Sequence, residues 1–244
     1  MSLESTPSEP MASASQPVAP ITSLDDSRVI QILSTEHWSV LTARSLAYNE
    51  AFVRAGMFLT FLSTSLIALA LLAEAMTFGQ DFLTVAAIVL AFDFVIGLTT
   101  FGRIAGANFD DLRALHGMAR IRHGYVEVAP FLAPYFTTSI HDDADSVSAD
   151  YNTPDGPVAS VLYGLTTSLG MIGLIVSMVG GVLICVLALL AGLSGGSGVW
   201  IGLAGAVVVF LLLVAVTLRQ IARQQATLQA QFPAPVSSSE EPAS

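Results

Sequence analysis

Lysine is absent from this 244-residue chain, cysteine occurs once, as Cys185, and only 11% of the residues are charged. Each scarcity excludes something. A single cysteine rules out a disulfide framework or a thiolate metal cluster within one chain. Nine arginines face 19 acids, a net charge of −10, so the clustered cations that grip phosphates are missing and nucleic acid is not an expected partner. Around the apolar runs there is no catalytic, metal or nucleotide motif, and no paired acids, His motif or nucleophile with its base among the spans. We expect neither an enzyme nor a cofactor nor a bound metal. Residues 1–20 have no basic start and no apolar stretch, hence no secretory signal, and the first apolar run is expected to serve as its own signal.

What abounds is hydrocarbon. At 53% hydrophobic and a mean hydropathy of +0.70 the chain is too apolar for a soluble domain. Its apolar residues come in blocks, over 55–73, 82–101, 165–193 and 199–218, each near or above the ~20 residues that cross a ~30 Å hydrocarbon core. The expected fold class is an all-α membrane protein with four transmembrane helices as two hairpins, the first and second helices extended into the cytoplasm. The corresponding division is a disordered tail over 1–33, a cytoplasmic helix over 34–54, and spans over 55–76 and 82–103. A cytoplasmic helix and acidic loop follow over 104–164, then spans over 165–193 and 199–218 and a tail over 219–244.

The arginines set the orientation. Arg28, Arg44 and Arg54 precede the first span, Arg103, Arg113, Arg120 and Arg122 follow the second, and Arg219 and Arg223 follow the fourth. The connections over 74–81 and 194–198 carry none. By the positive-inside rule both termini and the central loop are cytoplasmic, in the cell (plasma) membrane. Ser34 or Thr35 can cap the first helix, Glu36 lies in its first turn, and Glu50 and Arg54 are spaced for an i,i+4 pair. The second helix is expected to continue to about Val128 and stop before Pro130.

On that continuation Arg113, His116, Arg120 and His123 recur at steps of three and four, one polar stripe beside a more apolar face. The stripe suits contact with anionic lipid headgroups or a cytoplasmic protein partner; the plainer reading, an ordinary solvated helix face beside the membrane, is the favoured one. His116 and His123 are too far apart for a helical two-histidine metal site. In the acidic stretch from His141 to Asp155, the acids do not match an EF-hand loop and Val161 stands where its bidentate glutamate belongs. A solvated loop with a Pro154-Asp155-Gly156 turn fits better, near enough to the basic stripe for mutual attraction.

Asp93 lies near the middle of the second span, where an acid costs about 2.5–3.5 kcal/mol on insertion scales. Ala86, Gly97 and Thr100 share its face, and Ser63, Thr64 and Ser65 lie at similar depth on the first span. One reading makes Asp93 an ion- or proton-handling group served by these hydroxyls. The other makes it a neutral acid bonded to serine or threonine as structural glue. Gly97, Gly170, Gly173, Gly180, Gly181, Gly202 and Gly205 form small faces that let helices approach closely.

The stretch Trp38-Ser39-Val40-Leu41-Thr42-Ala43-Arg44, continuing through Phe52 and Arg54, resembles a group of uncharacterised four-span integral membrane proteins of high-GC bacteria. Arg122-His123-Gly124-Tyr125, Pro130, Tyr135-Phe136 and His141-Asp142-Asp143 are similar to the same group, so the likeness covers roughly residues 36–145. It implies a four-span topology in a bacterial inner membrane and no activity. The leading functional expectation is therefore a non-enzymatic, homo-oligomeric pore or ion-translocating assembly. The alternative is a membrane scaffold or sensor that recruits a cytoplasmic partner.

Overall fold

Most helix starts in this chain are set by short side chains that satisfy the first free amides, the start after Gly79 being an exception. The structure, a computed structural model, describes Ser23 and residues 26–76, 79–150 and 163–235. The stretch 1–20, the Pro154-Asp155-Gly156 turn, the Val161 position and the end of the C-terminal tail lie outside the described residues. The elements are α1 (Ser27–Met76), α2 (Gln80–Val128), a 3-10 turn (Pro130–Tyr135), α3 (Ala144–Ala149), α4 (Ser168–Leu190) and α5 (Gly195–Thr227).

α1 begins at Ser27 rather than at Ser34 or Thr35. Asp26 Oδ1 accepts from Arg28 N at 2.9 Å, and an aspartate caps as well as a serine does. Thr35 lies inside the helix, its hydroxyl donating to Gln31 O at 2.8 Å. Thr167 caps α4 by accepting from Gly170 N at 3.1 Å. Gly192, at φ 85°, closes the turn after α4 in the left-handed conformation that favours glycine. α5 continues to Thr227, past the expected span end at Leu218.

α1, α2, α4 and α5 are long and apolar enough to cross a membrane, and the chain is an all-helical multi-span membrane protein. The four helices form a row: α1 packs on α2, α2 on α4 and α4 on α5. α1 runs antiparallel to α2, since Ser65 meets Asp93, Glu50 meets Arg103 and Arg44 meets Asp111. On α2 the buried positions Ala86, Leu90, Asp93, Gly97, Thr100, Ile104, Ala107 and Asp111 alternate steps of four and three. Ala51, Phe58, Leu62 and Ser65 keep the same rhythm on α1, with Ala55 and Leu69 filling it in. A mean step of 3.5 residues keeps two helices in contact along a left-handed wrap.

Lipid supplies no hydrophobic force between helices, so contact rests on close fit. Phenyl rings enter glycine hollows. A Cβ at Gly97 would stand 2.7 Å from Val176 and 3.0 Å from the Phe58 ring; at Gly173, 3.0 Å from Phe101; at Gly180, 2.7 Å from Phe94. Between α4 and α5 the backbones themselves touch, a Cβ at Gly181 falling 2.7 Å from Gly202 O and one at Gly202 2.8 Å from Gly181 O. Gly205 receives Ile184. Gly170 differs, because its nearest neighbour is the Gly164 carbonyl in the segment leading into α4 rather than another helix.

Because the obstacles at Gly202 are the Cys185 Cβ and the Gly181 carbonyl, neither of which can swing aside, Gly202→Ala is expected to lower stability in detergent by about 1–3 kcal/mol. Gly196→Ala, with nothing within 4 Å of the added carbon, should leave it unchanged in the same denaturation measurement.

Candidate functional site

Polar groups gather at two places on α2, one in the middle of its apolar half and one along its polar half. Asp93 is 0% exposed. Ser65 Oγ lies 3.0 Å from Asp93 Oδ1 and 3.0 Å from Phe61 O. One hydroxyl carries one proton, so both contacts are made together when a neutral Asp93 donates to Ser65 and Ser65 donates to Phe61 O. Asp93 Oδ2 has no hydrogen-bond partner among the described residues. Ser63 and Thr64 stand away from it, exposed on α1 and bonded to Leu59 O and Thr60 O at 2.8 and 2.9 Å. With 3.6 residues per turn, only one of three consecutive side chains can face one neighbour.

The polar half begins with Glu50, which accepts from Arg54 Nε at 3.0 Å and from Arg103 Nη2 at 2.6 Å. Those two bonds, Arg103's first, hold its carboxyl below the ordinary range. One layer further out Arg44 pairs with the buried Asp111. Burial, and then the Asp111 carboxylate, pushes the Tyr48 phenol up to about 12.

The most densely bonded group is Asp142, which is 1% exposed. Its carboxylate accepts from Arg120 Nε at 2.6 Å, Gln231 N at 2.9 Å and Phe232 N at 2.7 Å. Its own carbonyl meets His116 Nδ1 at 2.9 Å, and Arg120 Nη2 reaches Gln229 O at 2.8 Å. Next to it Asp143 caps α3 through Ser146 N and takes Ala234 N, both at 3.0 Å. His123 stacks on Phe232, ring centres 4.1 Å apart, with Glu127 3.5 Å away. The segment after α5 is thereby clamped onto α2 and the loop after it.

Burial alone would raise both carboxyls. At Asp142 the amides of Gln231 and Phe232, with Arg120, outweigh it and hold the group below its ordinary range. At Asp143 the amides of Ala234 and Ser146 and the Ser146 hydroxyl bring it to about 2. These anions are solvated by donors, as a buried charge requires. No group of three or more His, Cys, Asp or Glu side chains converges as a metal site among the described residues.

Of the stripe residues, His116 and Arg120 face Asp142 and His123 faces Phe232, while Arg113 is exposed and forms no ion pair among the described residues. Sequence reasoning missed the partner segment over 229–234, first because backbone amides leave no side-chain signature. Phe232, an aromatic in a Pro/Ser/Ala-rich stretch, was the available signal. It also missed Arg44–Asp111, although carrying the Ser65–Asp93 register outward along two antiparallel helices leads to it.

The chain matches no protein-family model, no curated protein and no solved structure. The four-span likeness over residues 36–145 therefore has no support from a matched family, and the all-helical, multi-span character rests on the helices themselves.

The clamp has a definite pH dependence. Both folded-state carboxyls lie below their unfolded values, so their contribution is full above about pH 4 and is lost as pH falls through the folded values, about 2 for Asp143. Hydrogen-exchange protection factors of the Gln231, Phe232 and Ala234 amides should fall on acidification. At neutral pH Asp142→Asn should cut them by about tenfold or more, since bonds to charged groups are worth ~1.5–3 kcal/mol. Asp145→Asn, on an exposed residue, should leave them unchanged.

Proposed function

We propose that this chain is a non-enzymatic membrane scaffold or sensor, with both termini and the polar halves of α1 and α2 on the cytoplasmic face of the plasma membrane. The observation that carries the reading is the buried Asp142, which joins α2, the loop after it and the segment after α5 through charge-assisted bonds. A buried carboxylate is tolerated only where donors surround it permanently, so this face is a built surface rather than a set of loose tails. It leaves Arg113 outward, and α1 beside it exposes Trp38, Leu41 and Leu46 at 64, 37 and 63%. Exposed apolar side chains of this size on a helix beyond the bilayer suit docking to a cytoplasmic protein or a second copy.

The second reading, a homo-oligomeric pore or ion-translocating assembly, draws on one observation, the unpartnered Asp93 Oδ2 at mid-span. Against it, Asp93 is sealed from solvent and from the Ser63 and Thr64 hydroxyls.

Tracer flux across liposomes carrying the purified chain separates the two. The scaffold reading expects background flux for the wild type and for Asp93→Asn. Flux that the wild type supports and Asp93→Asn abolishes would replace it with the ion-translocating reading.

A further inference from the structure

Where the polar halves of α1 and α2 begin, a cavity of about 600 Å³ opens between them, α5 and the segment leading into α4. Its size is in the range of small-molecule sites, roughly 300–1,000 Å³. α1 and α5 pack chiefly on α2 and α4 rather than on each other, so the cavity fills a gap in the row. Its depth is marked by the flanking arginines: Phe52 on α1 lies between Glu50 and Arg54, Ile104 on α2 follows Arg103, and Thr217 and Ile221 on α5 flank Arg219. By that measure the cavity sits at the boundary between hydrocarbon and headgroups, where a bilayer lipid has its glycerol.

The lining states what it can hold. None of the described lining residues is Asp, Glu, Lys or Arg. Of the arginines around it, Arg54 and Arg103 share Glu50, Arg44 pairs with Asp111 and Arg120 with Asp142, while Arg219 stands outside the lining. A phosphate inside the cavity would meet no cation among the described lining residues. Phe109, Leu112, Leu169 and Ile221 supply apolar walls. The polar groups among them have mostly committed their protons. Thr166 Oγ1 donates to Tyr163 O at 2.8 Å and Thr217 Oγ1 to Leu213 O at 2.9 Å, leaving oxygen lone pairs. His116 Nδ1 faces the Asp142 carbonyl at 2.9 Å; a carbonyl only accepts, so this nitrogen's proton is committed as well. The valences left over are of both kinds, the oxygen acceptors of these threonines beside the donors of Asn108 and Ser168, and they ask for a ligand that both donates and accepts.

We infer that this cavity binds the hydroxyl-bearing, uncharged head of a membrane lipid of the diacylglycerol type. The free hydroxyl donates to the Thr166 or Thr217 oxygen, the ester carbonyls accept from Asn108 or Ser168, the glycerol and first methylenes fill the apolar part, and the chains trail into the bilayer. A quinone or a fully esterified glyceride offers only acceptors and leaves the threonine oxygens unmet, and a phospholipid adds a charge that no described lining side chain matches. Both are disfavoured by the same inventory.

The test uses the full chain in phosphatidylcholine vesicles with a photoactivatable diacylglycerol, its cross-links mapped by peptide mass spectrometry. Cross-links are expected on the cavity wall, at or beside Phe109, Leu112 and Leu169. Unlabelled diacylglycerol should compete for them, and the same lipid with its hydroxyl capped as a methyl ether should compete about tenfold less well, the loss of a ~1.4 kcal/mol hydrogen bond. Thr217→Trp should block the labelling, while Val207→Trp, on an exposed face of α5, should not. Labelling spread over the outer faces of α1 and α5, or equal competition by the methyl ether, would overturn the assignment on the wild-type chain alone, whatever becomes of the variants.

Discussion

Everything in the row of helices depends on the two faces of α2. Toward α1 it offers positions stepped by four and three, and toward α4 it offers the Phe94 and Phe101 rings that enter the hollows at Gly180 and Gly173. Gly97 serves both sides, because it receives Phe58 from α1 and Val176 from α4. In hydrocarbon a loosely fitting helix loses nothing by exchanging its neighbour for lipid. The fit at these few hollows is therefore what makes a particular arrangement preferable, and among the described residues α2 is the only helix that touches both the first and the third span at length.

Three buried aspartates follow one another outward along α2 and the loop beyond it, and each is accommodated by a different chemistry. Asp93, deepest, meets a hydroxyl. Asp111 meets the Arg44 guanidinium. Asp142, outermost, meets a guanidinium and two backbone amides. The order makes physical sense: in hydrocarbon a neutral acid with one hydroxyl partner is less unfavourable than an ion pair, whereas a charged pair becomes tolerable once water and dense donors are near. Both polar contacts between α1 and α2 at Asp93 and Asp111 also fix register, because sliding one helix past the other would strand a buried polar group.

The existence of the four apolar helices was legible from block composition, since a run of ~20 apolar residues matches the thickness of the hydrocarbon core and exceeds what one face of a soluble helix needs. The pairing of Glu50 with Arg54 was legible from spacing. The start of α1 was less so: Asp26, Ser34 and Thr35 are all competent caps, and propensity alone does not choose among them. Depth arithmetic placed Ser63, Thr64 and Ser65 together near Asp93, but depth is blind to the angle around the helix, and rotation sends only Ser65 inward. The clamp was least legible. Its acceptor, Asp142, stood in plain view within an acidic run, while its donors are amides that every residue but proline possesses.

That anonymity has a consequence for how the chain can vary. Asp142 grips the polypeptide by its main chain at Gln231 and Phe232, so the side chains of that segment are free to change, with Phe232 against His123 as the one anchored exception. The row of helices is otherwise unclosed, its outer members α1 and α5 held chiefly by one neighbour each. The clasp ties the end of α5 back to α2 on the polar side alone. The molecule is in mechanical terms a clip whose paired helices are joined by the short connections 77–79 and 191–194 at one end and clasped through Asp142 at the other.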